Sequence, residues 1–292
     1  MVAYLSRVSI DDESRAAGSD EHPIAGLDAS AIAALLAQRA STWPAPRLVA
    51  STGSTNADVE ELARQGAVEG TCIVADEQTA GRGRLDRTWV SPPGAGLWMS
   101  VLLRPGGSSA ERPTWLPLVA GLAVTDALAE ACGVRAELKW PNDIVAIAAA
   151  CGGSDGPRKL GGILSAVVPD ATDPAVVIGI GVNVDMRSAD LPVSQATSVL
   201  LEGGRVDRSM LLGCLLSALE ARLEQWRAGD EAIGRDYRAR CTTIGRRVSV
   251  ELPHAAPISG IVTGIDDDGH LLVDNEGITA SITAGDVIHA TI

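Results

Sequence analysis

Three arginines and two glycines fall within seven residues at Gly81-Arg82-Gly83-Arg84-Leu85-Asp86-Arg87, and Thr88-Trp89 follow at once. Arginine keeps its charge under ordinary conditions and presents a planar fork of donors that suits phosphate or carboxylate. Glycine lets the backbone approach a ligand closely and take positive φ. The combination describes a loop that closes over an anion. The competing reading is a solvated basic turn, and a short Gly-Arg repeat alone does not separate the two. Three like charges repel one another when no anion is present, so the loop is expected to order over its ligand and to be disordered without it.

Further residues of the right chemistry flank this loop. Ser54-Thr55-Asn56 and Glu77-Gln78-Thr79-Ala80 precede it; Lys139-Trp140-Pro141-Asn142-Asp143, Lys159-Leu160-Gly161-Gly162-Ile163-Leu164 and Gly179-Ile180-Gly181-Val182-Asn183 come after. They supply hydroxyls, amides, two more cations and glycines inside β-prone runs, where a ligand or another backbone comes close. Lys159 reads either as a ligand-facing cation or as a surface lysine beside Arg158, and the glycines after it favour the former. No GxxxxGK[ST] pattern exists, which removes a P-loop. Cys72, Cys132, Cys151, Cys214 and Cys241 lack CxxC spacing, and His22, His254, His270 and His289 are dispersed. Neither a protein-bound structural metal nor a Cys-His nucleophile is expected.

Taken in order, these five signatures resemble biotin protein ligase, over a span from about residue 50 to the C-terminus. The resemblance implies an enzyme that joins biotin to ATP as biotinyl-adenylate and then transfers biotin to a lysine of a biotin carboxyl carrier domain. It sets Ser54, Thr55, Asn56 and Gln78 beside biotin, with the backbone of Gly81, Arg82, Gly83 and Arg84 closing over the ligand. Gly162, Gly179 and Gly181 join that side, the last two as a floor where any Cβ would clash, or else as a close-packed strand. Trp89 walls the pocket, closes on the adenylate, or packs in the core. Lys159 spans the biotin carboxylate and the α-phosphate, and with Arg84 is the catalytic choice. Arg84, Arg87, Lys139, Asn142, Asp143, Lys159 and Asn183 fall to ATP. Asp143 carries Mg²⁺ through water, orients Lys139, or forms a structural turn. The implied small molecules are ATP with Mg²⁺ and biotin as substrate; the implied partners are carrier domains of biotin-dependent carboxylases. No residue announces itself as the base of the transfer step. Two alternatives remain: a lipoate or octanoate ligase-type acyl transferase of related fold, and a non-catalytic biotin-binding regulator.

The whole chain bounds these readings. Its 292 residues are 46% hydrophobic, without phenylalanine, and carry a formal net charge of -13. An acidic balance of this size argues against general nucleic-acid binding. About fifty residues precede Ser54 and no helix-turn-helix is evident, so the ligase form lacking a DNA-binding domain is expected, with no DNA partner. No signal peptide is visible. The most apolar stretch, Leu116 to Cys132, is interrupted by Asp126 and Glu130, so no membrane span and a cytoplasmic location are expected.

The elements that must hold these residues can be read coarsely. Residues 1–26 look like a loosely attached arm, and Asp28 to Ala40 has apolar residues at helical spacing. Short strands are expected at Arg47 to Ala50, Thr71 to Ala75, Leu97 to Leu103, Glu137 to Trp140, Ile163 to Val168 and Ala175 to Val184. A helix capped by Ser54 or Thr55 should end near Gly66. Pro113 to Ala131 reads as an apolar helix stopped by Gly133. Arg208 to Trp226 places Leu211, Leu212, Leu215, Leu219 and Leu223 along one helical face. Residues 144–158 form a connection longer than the family's usual one, with an exposed turn at Cys151 to Pro157. After Cys241, β-prone runs at Val248 to Leu252, Ile258 to Ile265, His270 to Val273 and Ile278 to Ile282 alternate with turns at Asp267-Asp268-Gly269 and Asn275-Glu276-Gly277. The expected class is α+β. An arm and helix (1–46) lead into a catalytic domain (47–240) that, as the resemblance implies, is built on a mixed, antiparallel-rich sheet. By resemblance, a small SH3-like β-barrel (241–292) follows.

Overall fold

A computed structural model describes residues 26–85, 87–105, 112–147, 156–169, 171, 173–252 and 255–289. The N-terminal arm to residue 25, the centre of the long connection (148–155, with Cys151), His22 and His254 lie outside the described residues. In chain order come α1 (Ala29–Gln38), β1 (Arg47–Thr52), α2 (Thr55–Arg64), β2 (Cys72–Gln78), β3 (Gly96–Leu103) and α3 (Leu116–Ala127). Then follow β4 (Ala136–Lys139), β5 (Asp143–Ala146), β6 (Arg158–Val168), β7 (Ala175–Asn183), α4 (Arg208–Arg227) and α5 (Ala232–Arg240). The chain closes with β8 (Arg247–Glu251), β9 (Ile258–Ile265), β10 (Leu271–Asn275), β11 (Ile278–Ile282) and β12 (Asp286–His289).

The larger sheet has seven strands in the order β1-β2-β3-β7-β6-β5-β4. Only β1 and β2 pair in parallel; every other neighbour is antiparallel. Strand side chains alternate faces, and the two faces are put to different use. Leu97, Met99, Val101 and Leu103 of β3, with Val176, Ile178, Ile180 and Val182 of β7, enter the main core with α3 and α4. On the other face Ile73, Leu102, Val168 and Val177 pack against Val59 and Ala63 of α2. That helix covers only one end of the strands. Beyond its N-terminus the same face continues as Ser100, Gly179 and Gly181, and here the site lies.

The helices follow the apolar patterns. Asp28 caps α1 by accepting the Ser30 and Ala31 N–H groups. The leucine stripe of α4 is buried as expected, but Gly213, Cys214, Leu216 and Trp226 are buried too, because α4 lies between α1 and α3. The Pro113–Cys132 segment, with its two acids, is long and apolar enough to cross a membrane by length and composition, but it is mostly buried in the core. It runs as a 3-10 turn, α3 and a π-helical turn, and Gly133 ends it at φ 71°. Three elements escaped the sequence reading. β5 sits inside the supposed long connection, α5 has only Ile233 and Tyr237 buried, and β12 is a four-residue strand pairing β8.

The second sheet, β11-β10-β9-β8-β12, is antiparallel throughout. Its Asp267-Asp268-Gly269 turn, which reads in sequence as a free hairpin tip, is held by the larger domain. The Trp115 indole donates to Asp267 O at 2.8 Å and that of Trp140 to Gly269 O at 3.0 Å. Trp140 therefore stands in the turn after β4, not in the strand, and is 2% exposed. These buried hydrogen bonds fix the small sheet so that β12 faces the open end of the large one.

Candidate active site

A cavity of about 490 Å³ opens on the uncovered face of the large sheet and reaches β12. Two adjacent rows of the sheet run beneath it, and Gly162, Leu164, Gly179, Gly181 and Asp143 of those rows line it. In one, Ser100 of β3, Gly179 of β7 and Leu164 of β6 stand opposite one another. Two residues along, the next row is Trp98, Gly181, Gly162 and Asp143. Register alone thus sets a neutral end beside a charged end, roughly 7 Å apart at the usual strand rise.

At the neutral end α2 begins. Ser54 occupies its N-cap with extended backbone, but its side chain makes no capping bond, so its hydroxyl stays available to the cavity it lines. Thr55 N–H donates to Gln78 Oε1 at 2.9 Å, and Gln78 Nε2 donates to Ser91 Oγ at 3.1 Å. Ser100 Oγ lies 2.7 Å from Thr55 Oγ1 and 2.6 Å from Asn56 Oδ1. The Asn56 carboxamide lies directly over Gly179, where a Cβ would collide with it. Ser54, Thr55, Asn56 and Ser100 are all buried.

At the charged end Lys159 Nζ donates to Asp143 Oδ1 at 2.5 Å and stands 5.5 Å from the centre of the Trp89 ring. A bulge delivers it there. Between the β5 partners Ile144 and Val145 the β6 register jumps from Gly161 to Lys159. The extra residue turns Lys159 onto the face of Asp143 and Gly162, which regular alternation would have denied it. Leu160 is fully buried in the main core. The arginine loop folds as a tight turn: Trp89 N–H donates to Gly81 O at 2.9 Å, Gly83 N–H to Arg87 O at 2.6 Å, and Leu85 takes φ 53°. Arg84 donates to Asn142 Oδ1 at 3.1 Å and to Gly285 O at 3.2 Å, and pairs with Asp286 at 3.8 Å. Arg87 pairs with the same Asp286. Burial pushes the Arg84 guanidinium below its ordinary pKa, against the pull of Asp286 and Asp143.

Two family models match the chain: the biotin/lipoate A/B protein ligase family over residues 48–183, and the biotin protein ligase C-terminal domain over residues 243–290. A biotin–[acetyl-CoA-carboxylase] ligase of Mycobacterium tuberculosis is 40% identical over 254 residues, 85% of this chain and 90% of that protein. The chain belongs to the biotin protein ligase family. A ligase of the same name from Paracoccus denitrificans is 34% identical, the match covering 82% of this chain and 98% of its own. Among solved structures, a biotin protein ligase from Aquifex aeolicus in complex with biotin and ATP superposes with a TM-score of 0.69 at 29% identity. That match covers 84% of this chain and 98% of the other.

Against this biotin protein ligase frame, most residues singled out in the sequence come together. Ser54, Thr55, Asn56, Gln78, Arg82, Gly83, Arg84, Arg87, Trp89, Lys139, Asn142, Asp143, Lys159, Gly162, Gly179, Gly181 and Asn183 all line the cavity. Gly81 does not. It closes the turn, where a Cβ would stand 2.5 Å from Trp89 O. Asp143, for which orienting Lys139 is one of three readings of the sequence, is the cross-strand neighbour of Lys139, and its carboxylate pairs with Lys159. Asn183 faces the cavity but spends its amide on Thr197 O at 2.9 Å, fixing the segment that crosses Lys159. The glycine floor is also not bare. Asn56 covers Gly179, and the Trp89 indole rests on Gly181, where a Cβ would come within 2.7 Å of the ring. Sequence reasoning missed Ser100 and Asp286. Ser100 was legible as the one polar residue in the apolar run 97–103; Asp286 carried no local signal.

Proposed function

We propose that the chain is an ATP-dependent biotin–protein ligase that makes biotinyl-5'-AMP from biotin and ATP and passes biotin to a lysine of a carrier domain. One observation carries the reading. A single cavity joins a neutral end of hydrogen-bond acceptors to a cationic end, with Lys159 and Trp89 where the two meet. Biotin has that polarity: a ureido ring with two N–H groups, and a carboxylate that must meet a phosphate. Lipoate offers a dithiolane without donors, which would leave the spare lone pairs of Thr55 Oγ1 and Gln78 Oε1 unanswered. Sites built to hydrogen-bond a ligand reject analogues lacking the group by about 10⁴-fold.

In this reading the biotin ring lies between the N-terminus of α2 and the Gly179–Gly181 backbone, displacing the Trp89 indole from its present rest. The indole N–H, buried without a hydrogen-bond partner among the described residues, then becomes free to bind ligand or water. Lys159 leaves Asp143 to bridge carboxylate and α-phosphate as charge develops on the phosphoryl group. A preorganised cation of this kind contributes about 3 kcal/mol or more to such a step. Arg84 and Arg87, now on Asp286, turn to the nucleotide, with Lys139 and Asn142 lining its path. The carboxylate oxygen attacks the α-phosphorus, and pyrophosphate departs with the bridging electron pair. A carrier lysine, as its free amine, then attacks the acyl carbon and expels AMP.

Among the described residues no group of three His, Cys, Asp or Glu is placed to hold a metal ion. The cavity's acids are Asp143, Glu251 and Asp286. Magnesium commonly keeps most of its waters and needs one or two carboxylates plus substrate phosphates. These acids fit a Mg²⁺ ion that arrives on ATP, where it neutralises phosphate charge. Incubation with ATP, Mg²⁺ and either biotin, lipoate or octanoate tests the reading. Biotin alone should yield the acyl-adenylate and pyrophosphate; turnover of another acid in its place would overturn it.

A further inference from the structure

Ser100 never reaches the cavity. It is fully buried, and yet it touches two of the residues that line it. A count of protons across this cluster determines what those residues can offer a ligand. Two fixed points start the count. A backbone N–H can only donate, so the Thr55 amide fixes the nearby Gln78 atom as Oε1. A backbone carbonyl can only accept, so Leu164 O, 3.5 Å from the Asn56 carboxamide, fixes the facing atom as Nδ2. Asn56 then turns Oδ1 towards Ser100, at 2.6 Å. An amide oxygen brings no proton, so Ser100 must donate its only one.

The 2.7 Å contact between Ser100 and Thr55 therefore needs the Thr55 proton. Thr55 Oγ1 also lies 3.1 Å from Gln78 Oε1. Two hydroxyl protons cannot serve three contacts, and the two shorter ones take them. Thr55 Oγ1 and Gln78 Oε1, the latter already accepting the Thr55 N–H, are left in two cavity-lining residues with spare lone pairs and no hydroxyl proton between them.

We propose that Ser100 is a specificity-setting positioning residue: by giving its own proton to Asn56 and accepting that of Thr55, it leaves Thr55 able only to accept from a ligand N–H. Gly179 belongs to the same device. Opposite Ser100 in the sheet, it has no side chain and so admits the Asn56 carboxamide to within reach of the serine. The inference rests on the biotin reading above and adds the group that fixes the polarity of the ring site.

The discriminating ligands are the two cyclic carbamate analogues of biotin, each with one ureido N–H replaced by a ring oxygen. Wild type should bind biotin tighter than the analogue whose oxygen faces Thr55 by about 100-fold or more, since two acceptors would then face each other. In Ser100→Ala the Thr55 hydroxyl loses its acceptor in the serine and can turn its proton to Gln78 Oε1 or, with the carbamate bound, to that ring oxygen. The biotin-to-carbamate ratio should fall by about tenfold, with the KM for ATP unchanged. Ser100→Cys, of similar size but a weaker acceptor, should give an intermediate ratio and guards against a folding failure of the alanine variant. A structural role alone would lower thermal stability and leave the ratio in place. An unchanged ratio in either folded variant that still binds biotin overturns the inference and spares the biotin reading. Wild type that binds no biotin brings down both.

Discussion

The two rows of the sheet floor solve opposite problems. In the Ser100–Gly179–Leu164 row, neutral groups on regular elements hydrogen-bond one another and are closed off from water. In the Trp98–Gly181–Gly162–Asp143 row, cations from a loop and a bulge are held by carboxylates. Lys159 is 36% exposed there and Arg87 65%. A neutral cluster can be completed in advance because its groups satisfy one another by hydrogen bonds and keep spare lone pairs for a ligand N–H. Closely spaced charges call for a counter-charge: Asp286 from the second sheet supplies it to Arg84 and Arg87 of the loop. Binding at the neutral end thus adds contacts, whereas binding at the charged end must exchange them.

Lys159→Ala attacks that contrast where the effect should be largest. Losing a charge-assisted contact formed mainly in the transition state should slow adenylate formation about 100-fold or more, with biotin affinity much less affected. Near-normal single-turnover adenylation by a folded variant would remove Lys159 from its role. Gly179→Ala is the counterpart at the neutral end. The new Cβ evicts the Asn56 carboxamide, and overpacking of this kind costs about 1–3 kcal/mol. Biotin affinity should fall about tenfold or more, since each tenfold is about 1.4 kcal/mol, while ATP binding holds. Equal losses for both substrates would show that the two ends are not separable.

Asp286→Asn should act more gently. It keeps the shape of β12 and frees Arg84 and Arg87, so tryptic cleavage within residues 82–87 should speed up a few-fold in the free protein. Biotin plus ATP should protect variant and wild type alike, because the ligand's phosphates replace the lost carboxylate. Identical cleavage of the two free proteins would mean that Asp286 does not hold the loop.

A pH effect should be smallest and confined to the charged end. Burial, with Lys139 and Arg246 nearby, lowers the His289 pKa from 6.5 to about 4. The unfolded chain binds this proton first, so the contribution is fully present above pH 6.5 and is lost as pH falls towards 4. His289 ends the strand that carries Asp286, so acid should weaken the hold on the loop. His289→Gln should flatten the stability profile across that window; melting curves of unchanged pH dependence would exclude the histidine.

Much of the molecule was legible in sequence where one residue type forces one local outcome. Apolar, β-prone runs at 97–103 and 175–184 marked two central strands, and the α4 leucines marked a buried helix. The ordered motifs hold most of the residues that line the cavity, because arginine, glycine and lysine at those spacings have few other uses. The failures have physical causes. Residues 143–146 pass for loop because a four-residue strand carries almost no period, and 286–289 is equally short. The polar α5 is helical by virtue of the two residues it buries.

Sequence by itself determined which chemistry the chain carries: its cations, its amides and hydroxyls, and the glycines that let backbone near a ligand. Tertiary structure alone decided where that chemistry points. The bulge at Leu160 turned Lys159 towards Asp143, strand register put Ser100 opposite Gly179, and the tryptophan grip on the 267–269 turn brought Asp286 to the arginine loop. Each depends on the pairing of residues distant along the chain, and such pairings arise from strand register and buried contacts that no local run of residues encodes.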